Sequence, residues 1–225
     1  MPAICASIME QTLEGFLKAA KDLEVDLIEL RVDGLMECTP EKAHSLLLEF
    51  KKTTKAKVIL SVRKKSEGGR FKGTEEDRKK VILGCLHLAD LVDIELRSEI
   101  RDEVVSKARA NRIGVIISYH DFEKTPSIKE RKAIIDEERK AGADYPKIAF
   151  KANSLRHTLR LLEVVRDTSK KGVIAVSMGE PGRISRIAAP FFGSAITYAA
   201  AGEKTAPGQL TLEETKKAFE ILGVK

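Results

Sequence analysis

A lysine inside an apolar run is costly unless it has a task, and Lys147 sits in PKIAFK, between Pro146 and Ile148-Ala149-Phe150. Burial disfavours the ammonium form, and a neutral amine is a nucleophile for a ketone carbon. Lys151 has the same strand parity and lies nearer the end of the run, so position alone does not choose between the two. His120 closes GVIISYH and is the one histidine of four at such a run end; His44, His87 and His157 fall in amphipathic segments. An imidazole so placed can take and return protons near neutral pH. Glu29 and Arg31 share a face of LIELRVD, and Asp93 and Glu95 share a face of LVDIEL, because strand side chains alternate. Arg63 follows KVILSV with Glu67 just beyond, and Arg186 follows SMGEPGRIS. A guanidinium grips a carboxylate through two parallel hydrogen bonds, so these arginines point to a ligand with a carboxylate or hydroxyls. Glu29 and Glu67 are then either their ion-pair partners or acceptors for ligand hydroxyls. So many convergent charges argue for a functional pocket.

Such residues need a scaffold that gathers many segment ends at one place. Eight short β-branched or apolar runs recur: AICASI, LIELRVD, KVILSV, LVDIEL, GVIISYH, KIAF, GVIAVSM and SAITYA. Longer amphipathic stretches separate them. In TLEGFLKAAKDLE, for instance, Leu13, Phe16, Leu17 and Ala20 follow the spacing of one buried helical face. Thr39-Pro40 reads as an N-cap followed by a first-turn proline, and Gly142 and Gly172 as helix stops. The alternation predicts an α/β protein, a single (β/α)8 TIM barrel filling residues 1–225 as one domain, with its active site at the C-terminal ends of the strands. No GxGxxG follows the first run, which speaks against a doubly wound dinucleotide fold.

Composition narrows the partners. Forty Lys and Arg against 34 Asp and Glu give a formal charge of +6, which favours an anionic ligand. The charges are interleaved, as in TEEDRKK, and with no Trp and 5% aromatics there is little to stack on bases, so a small anionic substrate fits better than nucleic acid. Cys5, Cys38 and Cys85 are odd in number, widely spaced and without a metal-ligand pattern; they read as reduced and structural, with no metal site. The N-terminus lacks the pattern of a signal peptide and no apolar stretch is long enough to span a bilayer, so the expected setting is cytoplasmic, away from membranes.

Taken in order, ELRVD, SVRKKSEGG, SYHDF, PKIA, SMGEPGRISR and TAPGQ resemble the successive signatures of type I 3-dehydroquinate dehydratase, across almost the whole chain. The resemblance implies an eight-stranded α/β barrel and a dehydration of 3-dehydroquinate to 3-dehydroshikimate with neither metal nor nucleotide cofactor. It implies Lys147, not Lys151, as the Schiff-base lysine, His120 as general acid and base, and Glu67 beside the histidine to orient it. The substrate contacts it implies are Ser7, Glu29, Leu30, Arg31, Arg63, Arg186, Thr205, Ala206 and Gln209, with Arg186 on the substrate carboxylate. Met178 and Tyr198 would wall the ring, although Phe is the commoner occupant at the latter position. Bacterial members usually begin with a hairpin that closes the bottom of the barrel; this chain enters its first run at once, so a barrel without that hairpin is expected. A homodimer is implied by analogy.

Two other readings use the same residues. A class I Schiff-base aldolase acting on a sugar phosphate would place GEPGR as its phosphate loop and predicts carbon–carbon cleavage. A non-catalytic basic protein binding nucleic acid would use the charge alone, against the dispersed pattern.

Overall fold

The computed structural model describes residues 2–169 and 172–223. The eight apolar runs form strands Ala3–Ile8 (β1), Leu27–Arg31 (β2), Lys57–Ser61 (β3), Leu91–Glu95 (β4), Gly114–Asp121 (β5), Tyr145–Lys151 (β6), Ile174–Met178 (β7) and Ile196–Ala200 (β8). Helices follow each: Leu13–Ala20 (α1), Pro40–Thr53 (α2), Glu75–Cys85 (α3), Arg101–Ala110 (α4), Ile128–Lys140 (α5), Leu155–Thr168 (α6), Ser185–Phe191 (α7) and Leu212–Ile221 (α8). The strands lie in the order β7-β6-β5-β4-β3-β2-β1-β8. A bridge between Val173 and Ser194, with the Ala195 amide donating to Val173 O at 2.8 Å, brings the last two edges together. The result is a (β/α)8 TIM barrel.

Period-two alternation sorts each strand into two environments. Ile28, Leu30, Val58, Leu60, Val92, Ile94, Val115 and Ile117 point outward and pack beneath the helices. Cys5, Leu27, Ile59, Leu91, Ile116, Ile174 and Ile196 point inward and fill the lower barrel with an apolar plug. Since both faces are buried, the strands read as nearly continuous apolar runs. Inward positions above the plug carry the polar Glu29, Arg31, Asp93, Ser118, His120 and Lys147, beside the apolar Ala149, Val176 and Met178.

Helix ends are fixed as their sequences suggest. Thr39 Oγ1 accepts from the Lys42 amide, and Thr74/Asp77, Ser127/Glu130 and Thr211/Glu214 close reciprocal capping boxes. Gly142 adopts φ +100 just past α5, a left-handed stop that a side chain would resist. The run LIELRVD is shorter as a strand than expected. Val32–Gly34 forms a 3-10 turn because the buried Asp33 carboxylate accepts from the Arg31 guanidinium and from the amides of Arg63 and Arg70, turning the chain inward.

Among the described residues no hairpin crosses the N-terminal end of the barrel. A concavity of about 1820 Å³ opens there, bordered by Ala3, Leu27, Leu91, Tyr145 and Ile196. Among the described residues no helix is long and apolar enough to cross a membrane.

On the outer side of the wall, Glu138 of α5 is fully buried, and both carboxylate oxygens lack a partner among the described residues. Burial, helped by the charges of Asp93 and Glu67, raises its pKa well above the ordinary 4.5. An acid with a raised folded-state pKa costs nothing below the unfolded value and an increasing amount as pH rises above it. Glu138→Met, of similar volume, should therefore raise stability at pH 7 by about 1–3 kcal/mol in urea unfolding, with a smaller gain at pH 4. A loss of stability at pH 7 would show that the carboxylate is partnered.

Candidate active site

Lys147 Nζ lies inside the barrel on β6, and the residue is 6% exposed, whereas Lys151 at the end of the same strand is exposed. Geometry thus separates two lysines that parity leaves equivalent. The amine is not isolated among apolar groups, as burial alone would suggest. It donates to Asp93 Oδ2 at 2.8 Å, has Glu29 Oε1 at 3.8 Å, and rests 4.3 Å above the centre of the Tyr198 ring.

Asp93 is the hub of this network. Arg63 reaches it at 2.8 Å and the Ser118 hydroxyl donates to it at 2.6 Å. Burial opposes its ionisation, but the Arg63 and Lys147 charges outweigh that and hold the carboxyl far below the usual carboxylate range. Arg63 also pairs with Glu95 at 3.2 Å, and Glu95 is held in turn by the buried Arg78 of α3 at 2.7 Å.

His120 stands on β5, beside β6 and one inward position further up, its backbone paired with Ala149 while Ser118 pairs with Lys147. Its Nδ1 and its backbone amide both meet Glu67 Oε2, each at 3.0 Å. With Nδ1–H donating to that carboxylate, Nε2 keeps its lone pair for the cavity. Burial, then the Arg63 and Lys147 charges, depress the imidazole pKa well below the ordinary 6.5, so the ring is neutral at rest. Glu67 itself is pushed up by burial, with Arg63 and Lys64 opposing. The loop SEGG lets it approach. Gly68 has φ +79 and a Cβ there would fall 2.5 Å from the Phe122 ring, while one on Gly69 would fall 1.9 Å from Arg63 O.

Arg186 is 3% exposed and among the described residues pairs with no carboxylate. Its terminal nitrogens donate only to Tyr198 O (3.4 Å) and Pro207 O (3.2 Å), and Nε has no partner. Burial lowers its pKa to about 10. A buried cation left without a counter-charge is a receptor for an anionic group. Arg31 differs: Asp33 already holds it through two bonds of 2.9 and 2.7 Å, a pairing not foreseen from the sequence, where Glu29 and Glu67 were the carboxylates considered, either as ion-pair partners or as acceptors for ligand hydroxyls.

One cavity brings together Glu29, Arg31, Arg63, Glu67, His120, Lys147, Met178, Arg186, Tyr198, Thr205, Ala206 and Gln209. Phe122, Gly68, Ala149 and Val176 complete its wall; Phe122 follows His120 by two residues, so parity could have found it. Ser7 stands just behind, donating to Glu29 Oε2 at 2.5 Å and lying 3.2 Å from Thr205 Oγ1. Gln209 Oε1 accepts from both the amide and the hydroxyl of Thr205, which folds the β8–α8 loop over the mouth. Leu30 lies outside this lining: its side chain sits in the core beneath the helices, because its parity is opposite to that of Glu29 and Arg31.

A model of the family described as type I 3-dehydroquinase matches residues 4–225. A 3-dehydroquinate dehydratase from Methanococcoides burtonii is 40% identical over 223 residues, covering 98% of this chain and 94% of the relative. Among solved structures, the 3-dehydroquinate dehydratase of Geobacillus kaustophilus superposes with a TM-score of 0.93 at 25% identity, covering 99% of this chain and 91% of that one. A type I 3-dehydroquinate dehydratase from Clostridium difficile, described with covalently modified comenic acid, gives 0.91 at 32% identity, covering 98% and 92%.

Proposed function

The chain belongs to the type I 3-dehydroquinase family, and from that premise we propose that its hydro-lyase activity, the dehydration of 3-dehydroquinate to 3-dehydroshikimate in the shikimate pathway, runs through a Schiff base on Lys147 with His120 moving the protons. The observation that carries the reading is a buried amine sharing one cavity with a neutral imidazole and an uncompensated guanidinium.

The substrate carboxylate occupies Arg186, while Glu29, Arg31 and Gln209 take up its hydroxyls. With one proton of its ammonium lent to a neighbouring base, the neutral Nζ attacks the C3 ketone carbon, and that proton returns as the carbinolamine hydroxyl departs. Two protons from the original ammonium leave with the ketone oxygen as water, so the iminium forms without net proton exchange. The iminium withdraws electrons from C2, and His120 Nε2 removes the C2 proton; the electron pair moves into the ring to give a neutral enamine. The enamine expels the C1 hydroxyl, which takes the proton back from His120 and departs as water. A second water hydrolyses the conjugated iminium, releasing product and restoring the amine. Glu67 fixes the imidazole tautomer throughout, and Asp93 keeps a negative charge beside the nitrogen that carries the positive one.

The chain acts as a single catalytic domain on this reading, in the cytoplasm and as a homodimer. A small soluble metabolite suits the first setting, and exposed Leu155 and Leu159 on α6 with Ile184 before α7 offer an apolar patch for the second. Interleaved surface charge suits a small anion rather than nucleic acid. The aldolase reading is not favoured, because the matched family eliminates water instead of cleaving carbon–carbon bonds.

Dehydroquinate should give the new absorbance of a conjugated enone, and borohydride added during turnover should fix the substrate skeleton on Lys147. Peptide masses locate the adduct; an unmodified Lys147 in inactivated enzyme would refute the covalent route.

A further inference from the structure

The aromatic ring beneath the reactive amine has properties that a simple wall does not need. Tyr198 points inward from β8 and is 5% exposed. It belongs to the same buried apolar cluster as Cys5, Leu27, Ile59 and Ile116 of the plug, with Cys5 its neighbour across the β1–β8 pairing. Its hydroxyl is buried and meets no partner among the described residues, so hydrogen bonding does not explain its position. Lys147 Nζ stands 4.3 Å over the ring centroid, within reach of the negative π face.

The remaining partners of that nitrogen are all hydrogen-bond acceptors. Asp93 takes a proton at 2.8 Å but divides its charge with Arg63 and Ser118, and Glu29 stands off at 3.8 Å while accepting from Ser7. An ammonium offers three N–H groups to such acceptors, whereas an iminium nitrogen offers one. Hydrogen bonding to the nitrogen therefore falls when the Schiff base forms, although the positive charge remains. Attraction to a π face needs no N–H and persists in a dry site.

We propose that the face of Tyr198 is the electrostatic partner that Lys147 keeps through both of its cationic states, ammonium and iminium, and that it favours the iminium over the neutral carbinolamine and the neutral enamine on either side of it. The iminium half of this proposal rests on the Schiff-base reading above; the ammonium half does not.

A test that leaves ring shape nearly unchanged uses the full chain with mono-, di- and trifluorinated phenylalanine at position 198, read against Tyr198→Phe. Each fluorine weakens the negative face. Two readouts are compared: the ratio of borohydride-trapped to free enzyme during turnover, and the pH at which Lys147 begins to react with trinitrobenzenesulfonate. Above the onset of reagent reactivity, where the free amine is neutral, the trapped ratio should fall stepwise, by about 10- to 30-fold across the series, and reactivity should begin at progressively lower pH as the ammonium loses its partner. Ring packing alone would move neither. A flat response in both readouts overturns the proposal. If Lys147 is never trapped, even in the unsubstituted chain, the Schiff-base reading fails by itself; the reagent series then decides whether the ring holds the ammonium, with graded onset upholding that contact and constant onset overturning it.

Discussion

Lys147→Ala should turn over 3-dehydroquinate more slowly by on the order of 10⁴-fold or more, with no borohydride-dependent mass gain anywhere in the chain. The loss is large because the amine is the group that forms the iminium on this reading, and without the iminium the C2 proton has no adjacent electron sink. The substitution should spare the fold. Asp93, the carboxylate that loses a partner, keeps Arg63 at 2.8 Å and Ser118 at 2.6 Å, so its charge is not stranded. Ligand should also still bind, because Arg186 and Arg31 lie elsewhere in the cavity wall. Calorimetric titration with the reaction product would show binding retained, and Lys151→Ala serves as the companion variant: its exposed side chain predicts turnover within about twofold of the parent, since surface changes of this kind have small effects. Substantial turnover in Lys147→Ala, or its loss in Lys151→Ala, would place the nucleophile elsewhere.

Which parts of this site can be seen in the sequence follows from the range of each interaction. Parity along one strand is local, so it puts Glu29 with Arg31 and sends Lys147 to a definite face; the same rule would have excluded the Leu30 side chain, which the family resemblance admitted. The pairing of Arg31 with Asp33 is only two residues long, yet it depends on a 3-10 turn that replaces the end of a strand, and the apolar pattern of LIELRVD carries no mark of that turn. Asp93 shows the opposite limit. Its place on the inward face of β4 is legible, but its bond to Lys147 spans 54 residues and crosses between strands that are not neighbours, so it depends on the stagger of the closed barrel. The contact between Ser7 and Thr205, 198 positions apart, likewise exists because β1 and β8 meet at closure. The alternation reveals the barrel, and the ordered motifs give the family. The charge network that tunes the amine comes from three-dimensional closure.

His120→Ala should separate the chemistry into halves. Turnover should fall by about 10²- to 10⁴-fold, the usual contribution of a positioned acid–base group. Borohydride should nevertheless still attach substrate to Lys147, because converting an ammonium and a ketone into an iminium and water needs no net proton acceptor. The C2 proton does need one, so the variant should stall with the iminium accumulated. The pH profile provides an independent reading of the same residue. Because burial and the Arg63 and Lys147 charges depress the imidazole pKa, His120 remains a neutral base as pH falls past 6.5, and kcat/KM should decline only below that value. The acid limb belongs to the free enzyme and should disappear in the alanine variant, along with most of the rate. Equal losses of trapping and turnover would mean that His120 is needed to build the iminium; an acid limb unchanged by the substitution would assign it to another group.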